Sequence, residues 1–113
     1  MIKIKPIKHA NYNTGFIVEG HAGLTPHGSD ILCSAVSASV AVLERQLQYI
    51  KDEEYFTLLS TTREGYKRIE IESHLDHSDW EGFAEAVIQG WYDVMEQLAK
   101  QYPDNIKVEE WVI

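Results

Sequence analysis

Apolar and basic residues mostly alternate over residues 2–8, Ile2-Lys3-Ile4-Lys5-Pro6-Ile7-Lys8, with the two-residue period of a half-buried strand. Pro6 cannot donate to a sheet ladder, which predicts an edge strand or one carrying a bulge. Asn11, Tyr12, Asn13, Thr14 and Gly15 read as turn chemistry, and residues 16–20 return as a second strand, so the two form a hairpin. Residues 21–28 form a loop rich in Gly and Pro. A helix is predicted from Ser29-Asp30, whose side-chain oxygens suit the N-cap, to about Lys51. Residues 54–61 are β-rich, Thr62-Arg63-Glu64-Gly65 is a turn, and residues 66–72 alternate again. There Ile69 and Ile71 fall on one face and Arg68, Glu70 and Glu72 on the other. Residues 73–79 are a polar link. A second helix is predicted over residues 79–101, opened by the capping-box spacing of Ser78 and Glu81 and ended before Pro103. The tail from Ile106 to Ile113 alternates over its first part and reads as a last strand.

The two helices differ in pattern. The second repeats Phe83, Val87, Ile88, Trp91, Met95 and Leu98 on one stripe, as an amphipathic helix does. Gly90 interrupts it at a cost of about 1 kcal/mol in propensity, which predicts a close packing contact there. The first helix is apolar or small nearly all round from Ile31 to Leu43, so it is expected to be covered on more than one side. One sheet can cover only one side. The remainder predicts a second helix, a second subunit, or both. The order β-β-α-β-β-α-β, with strands paired in hairpins, gives a two-layer α+β fold with a mostly antiparallel sheet and two helices. A single domain over residues 1–113 is expected, with neither repeat nor linker.

Composition narrows the function. The net charge is −8, and the few basic residues (Lys3, Lys5 and Lys8 at one end, Arg63, Lys67 and Arg68 around a turn) make no stripe, so no direct nucleic-acid partner is expected. An acidic chain suits a basic partner. No apolar run reaches the roughly 18–20 residues that cross a bilayer, and no signal peptide opens the chain, so no membrane partner and a cytoplasmic location are expected. A single cysteine agrees with a reducing compartment.

That cysteine is the candidate for chemistry. Cys33 falls in the first turn if Asp30 is the N-cap, where the helix dipole favours thiolate over thiol. His21, twelve residues upstream, ends the strand before the loop, and a thiolate with an imidazole is the usual nucleophile and acid/base pair. First-turn N–H groups could hold a developing oxyanion. The opposing reading is structural: Cys is among the most buried residue types and often only fills a core, and a capping or hydrogen-bonding role serves His21 equally well. His74 and His77 beside Asp76 and Asp79 lack the further ligands of a metal set and read as a solvated link, so no metal and no cofactor is expected. The glycines match neither phosphate-loop spacing.

Gly20-His21-Ala22-Gly23, followed by Gly28-Ser29-Asp30-Ile31-Leu32-Cys33-Ser34-Ala35-Val36-Ser37, resembles the signature of the ribosomal-processing cysteine protease family Prp, also met as YsxB-like proteins. Leu32 and Ser34 replace the Val and Ala that usually flank the cysteine, and the loop residues Leu24-Thr25-Pro26-His27 are less familiar. The resemblance covers essentially the whole chain. It implies an endopeptidase that removes the N-terminal extension of a large-subunit ribosomal protein during ribosome assembly, cutting after a bulky aromatic residue and before a small one. It implies Cys33 as nucleophile and His21 as general base. Gly20 and Gly23 would shape the loop, Asp30 would cap the helix and position His21, and Ser37 would support the site one turn on. His27 and Gly28 would belong to a loop that moves over substrate. The family's homodimer, formed through its helices, fits the apolar first helix. The alternative is a non-enzymatic, homodimeric, ribosome-associated accessory protein in which Cys33 only packs.

Overall fold

The computed structural model describes residues 1–9, 12–20, 31–50, 56–73 and 79–109. The elements follow the expected order: β1 (Ile2–His9), β2 (Tyr12–Gly20), α1 (Ile31–Ile50), β3 (Phe56–Arg63), β4 (Tyr66–Ser73), α2 (Asp79–Gln101) and β5 (Ile106–Val108). Loop residues 21–28, the proposed caps Ser29, Asp30 and Ser78, the link at 74–78 and the tail at 110–113 lie outside the described residues.

One sheet runs β3-β4-β2-β1-β5. All its pairs are antiparallel except β1 with β5, which is parallel over Ile2–Ile4 and Ile106–Val108. Pro6 lies beyond that short pairing, so β1 has the character of an edge where its missing N–H would matter. A bulge follows at Ile7/Lys8.

That bulge corrects the turn expected over residues 11–15. β2 begins at Tyr12, and Asn13, Thr14 and Gly15 are strand residues. Ile7 pairs with Gly15 and Lys8 with Asn13, which leaves Thr14 as the extra residue; its Oγ1 donates a long hydrogen bond to the Ile7 carbonyl at 3.5 Å. Gly15 is there for space: a Cβ would run into the backbone carbonyl of Ile69 on β4. Turn-type residues here build a bulge within a strand. β3 likewise continues to Arg63, past the expected boundary, because Thr62 and Arg63 still pair with Lys67 and Tyr66; Glu64 and Gly65 alone make the turn.

Alternation decides which face is dry. Ile2 and Ile4, Phe16, Ile69 and Ile71, Phe56 and Ile106 are all buried and form one core cluster with Leu32, Val36, Val40, Leu43 and Leu47 of α1 and Ala84, Ile88, Trp91 and Met95 of α2. Trp91 stacks on Phe16 with ring centroids 4.0 Å apart, and its Nε1 donates to Ser39 Oγ at 3.0 Å, which joins α2 to both sheet and α1. Such a stack adds about 1 kcal/mol beyond the burial of its area. The outer face of the sheet carries ion pairs, Lys5 with Glu19 and Arg68 with Glu70.

α1 meets the sheet and α2 along one stripe, while in the single chain Ile31, Val42 and Tyr49 are 79%, 59% and 81% exposed. The sheet and α2 do not cover its outer flank. Gly90 has no close packing contact, because a Cβ there would meet nothing within 4 Å. It lines a shallow groove between the outer sides of α1 and α2, with Val42, Ala86 and Val94.

Candidate active site

Cys33 stands in the first described turn of α1, half-buried, between the buried Leu32 and Val36 that anchor the helix to the sheet. Ser37 follows one turn later on the same flank and is exposed. Both line a pocket of about 310 Å³ between α1 and the β3–β4 hairpin. Val18, Val36 and Val40 supply its apolar wall, while Thr62, Arg63, Tyr66 and Lys67 supply its far side.

The end of β2 closes one end of this pocket. Gly20 has φ of 90°, and a Cβ would collide with the Met1 carbonyl, so only glycine fits without strain. Its N–H donates to the Gly65 carbonyl at 2.8 Å. The strand is thus tied to the hairpin turn at the residue before His21. Of the residues predicted for the site, Gly20, Cys33 and Ser37 share this pocket. His21, Gly23, His27, Gly28 and Asp30 lie outside the described residues.

The pocket also holds residues that the sequence reading passed over. Glu44 pairs with Lys67 at 2.9 Å, and each side chain is only about a fifth exposed, at 22% and 21%. Lys67 Nζ also donates to Thr62 Oγ1 at 2.7 Å. Burial pushes the Glu44 carboxyl up, but hydrogen bonds from Lys67 and Ser60, with the charges of Lys67 and Arg45, outweigh it and hold Glu44 below its ordinary value. The Arg63 guanidinium lies 4.2 Å over the Tyr66 ring at the hairpin tip. Two signals could have found the pair. Glu44 follows Cys33 and Ser37 at helical spacing on one flank. Lys67 shares the parity of Ile69 and Ile71 and so points to the helix side.

Among the described residues no group of three or more His, Cys, Asp or Glu could hold a metal, and His74, Asp76 and His77 lie outside them. No helix among the described residues is long and apolar enough to cross a membrane.

The family model described as cysteine protease Prp matches residues 1–107. The chain belongs to this family. It is therefore a cysteine protease, and the non-enzymatic alternative gives way, although Cys33 does pack against the core on one side while opening to the pocket on the other. Among solved structures, the chain is similar to the essential ribosomal processing protease Prp from S. aureus in complex with a covalently linked product peptide. The TM-score is 0.78 at 19% identity, over 97% of this chain and 99% of that one. The same protease in complex with a substrate peptide gives 0.75 at 18% identity, over 97% and 99%. SMU.848 from Streptococcus mutans gives 0.71 at 20% identity, over 98% and 94%. At these identities the likeness shows the shared α+β fold. A search of curated proteins finds no match.

Proposed function

We propose that this protease removes the N-terminal extension of a large-subunit ribosomal protein during ribosome assembly in the cytoplasm, with Cys33 as nucleophile and His21 as general base. The observation that carries the reading is the pocket. Cys33, on the first described turn of α1, and Gly20, the residue before His21, line the same cavity. The similar S. aureus protease is a ribosomal processing enzyme and is known with substrate and product peptides, which supports a peptide in the corresponding cleft.

In this reading His21 takes the thiol proton and the Cys33 sulfur attacks the scissile carbonyl. Backbone N–H groups of the first turn hold the oxyanion. His21 then gives the proton to the leaving amine, and water releases the acyl-enzyme. Asp30 caps α1 and positions His21, and Ser37 supports the nucleophile. Gly23, His27 and Gly28 belong to a loop that closes over the peptide.

The exposed outer flank supports a homodimer through the helices. Ile31, Val42, Phe83 and Val94 are large apolar residues at least half exposed in the single chain, and Gly90 leaves open space beside them. The deciding experiment mixes the protein with the extended ribosomal protein of the same organism and follows N-terminal trimming by mass spectrometry. A protein with intact Cys33 that leaves the extension in place sinks the proposal.

A further inference from the structure

The pocket follows one flank of α1. Cys33, Ser37, Ala41 and Glu44 lie along one flank of α1 and all line it. From Cys33 to Glu44 the helix rises about 16 Å at 1.5 Å per residue. An extended peptide covers that distance in about five residues. The nucleophile therefore lies toward one end of a groove and the Glu44–Lys67 pair toward the other, with valines between them.

The pair is an unusual wall for an apolar groove. Lys67 belongs by parity to the dry face of the sheet, on β4 with Ile69, and pairs with Val18 of β2 on one side and Thr62 of β3 on the other. Its ammonium has three N–H donors. Glu44 and Thr62 take two of them, and no other partner of Lys67 is found among the described residues. Glu44 is fixed as an ionised acceptor by Lys67 and Ser60. Lys67 lines the groove with one donor beyond these two bonds, and Arg63 lines the same side.

We infer that the Glu44–Lys67 pair is a specificity-determining subsite that reads a side chain with a hydrogen-bond acceptor, an amide or a carboxylate, about five residues from the scissile bond. The valines between Cys33 and the pair select apolar residues, so the groove as a whole reads an apolar segment ended by a polar residue. An apolar residue at the pair would crowd the last N–H of Lys67 without offering it an acceptor, whereas an amide or carboxylate there would supply one, and unmatched polar groups discriminate between side chains. The inference rests on the proposal that this cleft takes a peptide substrate.

The test measures binding to the Cys33→Ala protein, so that it does not depend on turnover. The probes are fluorescein-labelled peptides with a central Phe-Ala step, in which each flanking position in turn carries Gln, Glu or Leu. The expected result is one position, four to six residues from the step by the same spacing, at which Gln and Glu bind about tenfold tighter than Leu. Adding Glu44→Leu with Lys67→Met should abolish or reverse that preference and leave preferences nearer the step unchanged. Replacing both members avoids leaving one charge buried alone. If that variant fails to fold by circular dichroism, Lys67→Gln keeps a donor without the charge, and should retain the preference for Gln over Leu while losing that for Glu. An unchanged Gln-to-Leu ratio in the double variant, or an unchanged Glu-to-Leu ratio in Lys67→Gln, overturns the inference, as does failure of every peptide to bind. Cleavage of the same peptides by the intact protein is scored separately. Binding with the stated preference but without cleavage removes the proposed cleavage at this cleft and leaves the subsite.

Discussion

The two flanks of α1 differ although the sequence along them looks alike. One flank faces the β3–β4 hairpin and carries Cys33, Ser37 and Glu44 into a pocket. The other faces away from the sheet and carries Ile31, Val42 and Tyr49 into solvent. Between them, Leu32, Val36, Val40, Leu43 and Leu47 fix the helix to the core. A helix apolar nearly all round thus serves three surfaces. The difference teaches that hydrophobicity alone does not tell which side works. The pocket flank differs in carrying Cys33, Ser37 and Glu44 beside the valine wall, where the outer flank carries large apolar side chains.

The sharpest break in this comparison is at the proposed nucleophile. Cys33→Ala should lower kcat/KM for the extended ribosomal protein on the order of 10⁴-fold or more, because a missing nucleophile leaves only binding and oxyanion contacts. Circular dichroism should stay unchanged. Residual cleavage near the wild-type rate would move the chemistry off this flank. The inner stripe comes next. Leu47 is fully buried, and Leu47→Ala should cost about 3 kcal/mol by loss of contacts and a remaining cavity. Urea unfolding checks this, and a cost under about 1 kcal/mol would mean that the stripe is not what holds the helix.

The outer flank predicts a loss of assembly with folding intact. Val42→Glu should weaken the proposed homodimer about a hundredfold, equivalent to ~2.7 kcal/mol, as read by sedimentation equilibrium. Its thermal midpoint as a monomer should hardly move, since Val42 is 59% exposed in the single chain. A wild-type protein that is already monomeric at micromolar concentration would instead leave this flank without its proposed partner.

The fold was readable where one pattern dominated. α2 spans Asp79–Gln101 as expected, because an unbroken amphipathic stripe ends before Pro103. β2 was partly hidden, because Asn13, Thr14 and Gly15 have turn chemistry and only the pairing with Ile7 and Lys8 turns them into a bulge. At the site, Cys33 and Ser37 were visible because a lone cysteine and its helical neighbour carry their own chemistry. Glu44 and Lys67 were not. Each looks ordinary alone, and their meaning depends on which face of β4 meets which flank of α1. That is a tertiary fact, although the parity of Lys67 with Ile69 hints at it. Gly90 misled for the opposite reason, since a glycine inside a helix need not mark a close contact, and a Cβ there would meet nothing within 4 Å.

The smallest effect sharpens the comparison most, because it separates the polar flank from the rest of the acidic surface. The Glu44 carboxyl is held below its ordinary value, burial working against this and the bonds from Lys67 and Ser60 prevailing. A carboxyl depressed by folding stabilises the native state above its unfolded value of about 4.5, and loses that contribution as pH falls through the lower folded value. Glu19 is also held low, by its bond to Lys5, so acid weakens the wild type at more than one place. The comparison with Glu44→Gln isolates the pocket. At pH 7 the variant should be less stable by about 1 kcal/mol, the scale for a pair that keeps some access to solvent. Because Gln does not titrate, the gap should narrow as pH falls below about 4 and close once Glu44 is protonated. Urea titrations at a series of pH values measure this directly. A gap that stays constant with pH would mean that the variant acts through packing, and that Glu44 does not depend on Lys67 for its charge.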